Sequence, residues 1–168
     1  MADLAAELEP HTPALRRYAW ALLRHREAAD DLVQDVLERA IGRWHLRRKD
    51  ASTRAWLLTI ARNLFLNGLR QSGRRGGHLS LDATELPSSE PGADRTLIAR
   101  DALTALHGMK EEERSLLLLI GVEDLSYRDA ALAFGVPEGT IMSRLSRARA
   151  RLRQMVEGNE RVVLRRVK

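Results

Sequence analysis

The chain has 168 residues, a net charge of +5 and a sequence pI near 10.3; 44% of it is apolar, 30% charged and only 4% aromatic. That length admits one ordinary domain or two small ones, and the wealth of Leu, Ala and Arg favours helices over sheets. The absence of cysteine excludes disulfides, thiolate zinc sites and cysteine nucleophiles; with no long apolar run and no leader-like start, the chain is expected to be cytoplasmic, neither membrane-inserted nor exported.

Charge is unevenly distributed. Residues 1–78 carry a net +5, residues 79–100 a net −2, residues 101–138 a net −5 and residues 139–168 a net +7. Two basic blocks separated by acidic ground suit two polyanion-contacting surfaces, although an arginine-rich chain also places arginine on ordinary solvated helix faces.

The first block is predicted to form three helices. His11-Thr12-Pro13 is a start signal, with Thr12 as cap and Pro13 in the first turn, and Leu15, Tyr18, Ala19, Leu22 and Leu23 follow at helical spacing. In the second helix Leu32, Val33, Val36, Leu37, Ala40, Ile41 and Trp44 form the buried stripe, leaving Asp30, Asp31, Gln34, Asp35 and Glu38 outside. After the basic break "HLRRKDA", Ser52 or Thr53 can cap a third helix. Its Trp56, Leu57, Ile60, Ala61, Leu64 and Phe65 are expected to line the core, and Arg62, Asn63, Asn67 and Arg70 to form a polar stripe.

From Gln71 to about Asp94 the chain is rich in Gly, Ser, Pro and acid and has no helical period, so it is predicted to be a flexible linker between two domains. Helices over Leu97–Leu106 and Glu111–Val122 should follow, the second opening on Glu111-Glu112-Glu113, where the helix dipole favours acid. Then comes "LSYRDAALAFGVPEGTIMSRLSRARARL". Ser126 is a good N-cap with Asp129 three residues on, Gly135 can end the short alanine-rich helix, and Pro137 suits the start of the next. Ile141, Leu145, Ala148 and Leu152 recur at i, i+4, i+7 and i+11, giving a single buried stripe. Helix, glycine turn and helix at this spacing form a helix-turn-helix signature. The expected fold is all-α: two small helical domains, residues 1–75 and 97–158, a flexible acidic linker over 76–96 and a basic tail over 159–168.

Opposite that last stripe lie Thr140, Ser143, Arg144, Ser146, Arg147 and Arg151, hydrogen-bond donors suited to base edges and phosphates in a major groove. Arg149 and Arg153 are better placed to neutralise the backbone. The plain alternative is a surface helix with solvated arginines.

These residues carry a resemblance. The stretch Leu125–Leu152 resembles the promoter-reading helix-turn-helix of bacterial RNA polymerase sigma factors of the extracytoplasmic-function (ECF) group. "EAADDLVQDVLERA" resembles that family's polymerase-docking helix, and "RAWLLTIARNLFLNGLRQSGRR" its promoter-melting helix. The resemblance implies a transcription initiation factor that binds core RNA polymerase, reads the −35 and −10 elements and helps melt the DNA. It implies docking on the β′ clamp, and contact with β, through Asp30, Asp31, Leu32, Gln34 and Asp35, with Val33 in support. It places the −10 contacts on the loop from Leu46 to Thr53, with Arg48, Lys49, Asp50 and Ser52, and on Arg62, Asn63 and Arg70, with Arg74 and Arg75 on phosphates. The −35 contacts would be Thr140, Met142, Ser143, Arg144, Ser146, Arg147 and Arg151. An anti-sigma partner is implied too, and neither a cofactor nor a metal. The chain departs from the family pattern at Met142, where a base is common, at Asn67, where an acid is frequent, and at Ala130, where a larger apolar residue is usual; these bear on promoter preference.

An enzyme is not expected. There is no Gly-rich phosphate loop, no H-E-x-x-H and no Ser/His/Asp constellation, and His11, His25, His45, His78 and His107 are scattered. A stand-alone helix-turn-helix regulator is the alternative function, but it leaves the first 75 residues without a role.

Overall fold

The protein is described here by a computed structural model covering residues 2–48, 52–74 and 93–166. Among these residues every regular element is helical. A short α1 (Ala2–Leu8) and a 3-10 turn (Glu9–His11) lead into α2 (Thr12–Leu23). Helix α3 (Arg26–Gly42), a second 3-10 turn (Trp44–Leu46) and α4 (Thr53–Arg74) complete the first domain. The second holds α5 (Ala93–His107), α6 (Glu111–Gly121), α7 (Tyr127–Phe134) and α8 (Glu138–Arg166). Lys49, Asp50, Arg75 and most of the predicted linker lie outside the described residues; α5 opens at Ala93, inside the stretch expected to be linker, and α8 runs on into the expected basic tail.

Helix α2 packs on α3 and α3 on α4, while α5, α6 and α7 all pack on α8. Leu15, Tyr18, Leu22, Val36, Leu57 and Leu58 are buried to within 1% in the first domain, as are Leu116, Leu119 and Ile141 in the second. Each such aliphatic side chain contributes about 1.5–3 kcal/mol by leaving water. The buried side chains of the two domains form one contiguous cluster, because α2 and α4 also pack against α6, and α4 against α7.

Several sequence expectations change. Helix α1 was not expected, and α2 is preceded by His11 with no side-chain cap, so Thr12 is its first residue and not its cap. Ser52 does cap α4, its hydroxyl accepting from the Ala55 amide at 3.2 Å. Ile41, expected in the core, is 54% exposed. A four-residue step on a helix leads by ~40°, so a stripe that starts at Leu32 and Val33 has turned out of the interface by Ile41. On α4 the buried arc is centred on Leu57, Leu58, Ala61 and Phe65, leaving Trp56, Ile60 and Leu64 only half-buried. Trp56 packs edge-on against Trp44, ring centroids 5.9 Å apart at 70°. Arg62, expected on a polar stripe, lies within the buried arc, since the second domain covers it.

Candidate nucleic-acid interface

The helix-turn-helix is built from local signals. The Ser126 hydroxyl accepts from the Asp129 amide at 3.0 Å and donates to the Asp129 carboxylate at 2.7 Å, fixing the start of α7. This differs from a full capping box, in which the acid would reach back to the Ser126 amide. Gly135 ends α7 at φ 64°, and the Val136 amide returns to the Ala131 carbonyl at 3.1 Å. The Pro137 carbonyl then accepts from the amides of Thr140 and Ile141 and launches α8. Ala130, fully buried, lets Ile141, Leu145 and Ala148 approach α7 closely.

On the far side of α8, Met142, Ser143, Ser146, Arg147 and Arg151 are exposed, and Thr140 and Arg144 are half-buried. Arg147 Nε donates to the Ser143 carbonyl at 3.3 Å, and the Ser143 hydroxyl to that of Thr140 at 3.0 Å. Arg144 and Arg151 face the acids that open α6: Arg144 lies 4.0 Å from Glu112 and Arg151 3.6 Å from Glu113. The Arg144–Glu112 pair is exposed and worth up to about 1 kcal/mol, so exchanging that carboxylate for phosphate costs little.

In the first domain Asp30, Asp31, Gln34 and Asp35 stand exposed along α3, Asp30 4.0 Å from Arg16 and the Gln34 amide donating to Glu38 at 3.0 Å. Leu32 and Val33 are buried beneath this row. Arg48 and Ser52 are exposed ahead of α4, and Asn63, Asn67 and Arg70 along it. A groove of about 440 Å³ runs past Arg62, Asn63, Asn67 and Arg70 and is completed by Arg39 of α3, by Arg43 just past its end, and by Glu112 and Phe134 of the second domain. Arg39 and Arg43 were not singled out from the sequence; Arg43 caps the end of α3 one turn after Arg39.

Arg62 behaves differently from its neighbours. It is 7% exposed; its Nη1 donates to the Ala133 carbonyl at 3.2 Å, and its guanidinium lies 3.8 Å from the Phe134 ring centroid. Arg114 of α6 makes the reciprocal contact, 5.8 Å from the Phe65 ring of α4. Burial lowers the pKa of both guanidinium groups. The Tyr18 hydroxyl, 2.6 Å from Ser115 across the same seam, has its pKa raised by burial. Among the described residues no cluster of His, Cys, Asp and Glu could hold a metal, and no helix is long and apolar enough to cross a membrane.

Two family models match: "Sigma2 domain of PhyR" over residues 8–61 and "Sigma-70, region 4" over residues 99–152. The first accounts for the block that a stand-alone helix-turn-helix regulator would leave without a role. The chain is 35% identical over 150 residues to the ECF RNA polymerase sigma factor EcfG of Rhodopseudomonas palustris, covering 88% of this chain and 83% of the relative. The ECF RNA polymerase sigma factor SigM of Mycobacterium tuberculosis is 34% identical over 149 residues, 87% of this chain and 73% of its own. The sigma factor RpoE of Bartonella quintana, crystallised with the anti-sigma factor NepR, superposes with a TM-score of 0.82 at 34% identity, over 94% of this chain and 98% of that one.

Proposed function

Because the chain belongs to the ECF family of RNA polymerase sigma factors, we propose that it docks on core polymerase through the α3 row and reads a promoter at two points. Asp30, Asp31, Gln34 and Asp35 are the docking side chains, with Leu32 fixing the helix from beneath. The exposed face of α8, with Thr140, Met142, Ser143, Arg144, Ser146, Arg147 and Arg151, takes the −35 duplex. Its donors suit guanine edges and phosphates. The groove along α4, with Asn63 and Arg70 on its wall, takes the melted −10 strand, and Arg48 and Ser52, exposed ahead of the helix, contact it further along. A strand whose bases are already unstacked binds there more cheaply than a duplex, so binding favours melting.

The chain makes no covalent change itself; phosphodiester synthesis belongs to the polymerase. It works in the cytoplasm, needs no cofactor, and is held in reserve by an anti-sigma protein, as its Bartonella relative was crystallised with one. The observation that carries the reading is the coexistence of an exposed acidic row on α3 with a donor-bearing helix-turn-helix in one chain. The test is retention from a bacterial lysate: immobilised chain should hold the β and β′ subunits, and Asp31→Arg should lose them. Normal retention by Asp31→Arg would place docking elsewhere.

A further inference from the structure

We infer that Met142 makes the −35 reading selective for thymine, its thioether packing on the C5-methyl group of one thymine in the major groove. This rests on the reading of α8 as the −35 helix and says which base one of its positions takes. Met142 is 55% exposed, and among the described residues it is the only large apolar side chain that α8 leaves in solvent. It lines a concavity of about 560 Å³, which it shares with the buried Leu145 and with Tyr127, exposed in the first turn of α7. Ser146, Arg149 and Arg153 line the same concavity. An apolar seat and two cations thus open onto one hollow beside the recognition helix.

The place of Met142 on the helix fits a base edge. It opens the second turn of α8, which starts at Glu138, and the N-terminal turns of a recognition helix are those that reach the bases. Met142, Ser146, Arg149 and Arg153 stand at i, i+4, i+7 and i+11, so they share an arc of about 60° on a 3.6-residue helix. The two arginines are exposed and lie ~10 and ~16 Å further along the axis at 1.5 Å per residue. In a major groove ~12 Å wide, Met142 can therefore meet a base while they meet phosphates at the rim. The chemistry of the side chain then selects the base. A thioether has no donor and accepts only weakly, so it cannot pair the polar edges of guanine, adenine or cytosine. Pressed against them, it would strip their water without replacing the hydrogen bonds. The C5-methyl of thymine is the apolar group that the major groove offers. An unbranched side chain with a polarisable sulfur can adapt to pack on it.

The test uses the full-length chain bound to core polymerase. Promoter duplexes are first selected from a pool randomised upstream of the start, which defines the −35 block that the chain prefers. Each thymine of that block, on either strand, is then replaced in turn by deoxyuridine, which removes the C5-methyl group and keeps the pairing. At one position the exchange should weaken binding about fourfold, which is what one methyl group buried at an interface is worth. That penalty should vanish in Met142→Ala, which should bind the thymine and deoxyuridine duplexes equally. Met142→Leu, apolar and of similar size, should keep it. Met142 is exposed, so both variants should retain the helix content of the unaltered chain, and the ratio of the two affinities is read within each protein. A selected block without thymine, deoxyuridine accepted at every position without loss, or penalties that all survive Met142→Ala would overturn the inference and leave α8 as the −35 helix. Failure to select any −35 block would overturn the reading of α8, and the role of Met142 with it.

Discussion

The Arg62 guanidinium lies over Phe134 with its central carbon 3.8 Å from the ring centroid, joining α4 of one domain to α7 of the other. The contact is desolvated, since Arg62 is 7% exposed, and a desolvated cation–π pair is worth about 2 kcal/mol. A double-mutant cycle with Arg62→Ala and Phe134→Ala, read by urea unfolding, should therefore give a coupling of about 1–2 kcal/mol. Additivity within about 0.3 kcal/mol would mean that the two side chains do not interact.

The turn that aims α8 depends on Gly135, which sits at φ 64° with open space around its Cα. Alanine there meets no neighbour but must adopt the left-handed conformation, at about 1–2 kcal/mol. Gly135→Ala should lower the unfolding free energy by that amount and weaken binding to duplex DNA, with core polymerase retention unchanged.

His107 gives the seam a pH dependence. Its Nε2 donates to the Ala21 carbonyl at 3.0 Å and its Nδ1 accepts from Arg114 at 3.2 Å, an arrangement for a neutral ring. Burial, and then the Arg114 charge, lower its pKa from 6.5 to about 4. The unfolded chain takes up this proton near pH 6.5 and the folded chain only near 4. Stability is thus complete above about 6.5 and falls as pH drops through that window, by no more than about 3 kcal/mol. His107→Gln should flatten the fall in denaturant midpoints between pH 7 and pH 4.5. His11, whose pKa is also lowered, is present in both proteins, so the difference isolates His107. Parallel curves would show that His107 titrates as it does in the unfolded chain.

Met142 is 55% exposed on the solvent face of α8, one turn before Ser146, the face proposed to take the −35 duplex. A cation there adds about one phosphate contact. Met142→Arg should tighten duplex binding several-fold at low salt and steepen the dependence of log K on log salt by about 0.9. An unchanged slope would place Met142 off the DNA.

Arg147 differs from Arg144 and Arg151 in making its contact with the backbone of α8, Nε to the Ser143 carbonyl at 3.3 Å. Arg147→Ala should cost about 1–3 kcal/mol of promoter affinity and relax specificity at one position, with core polymerase affinity intact. Equal loss of both would make Arg147 structural.

Much of this was legible in the residues. The Ser126 cap, the Gly135 turn and the Ile141, Leu145 and Ala148 stripe are set within a few positions of chain, so local rules find them. The exposed row of Asp30, Asp31, Gln34 and Asp35 follows in the same way from the period of α3. Glu123, buried and bonded to Arg17 and Arg54, was not legible: a single acid in a connection has no period, and its partners lie 106 and 69 positions away. Arg62 was misplaced for the same reason, because helical spacing locates the face of one domain and cannot show that a second domain covers it. Helix α1 was missed because seven residues are too few to display a period; the chain there is anchored by Leu8, 4% exposed on the core.

The central claim is that this chain lends core polymerase the ability to choose promoters at two points. It is tested most directly by transcribing fragmented genomic DNA with purified core polymerase, with and without the chain, and mapping the RNA 5′ ends. The prediction is a set of starts, dependent on the chain, that share two upstream sequence blocks at constant spacing and vanish with Asp31→Arg. Starts that are unchanged by adding the chain, or that share no such pair of blocks, would contradict it.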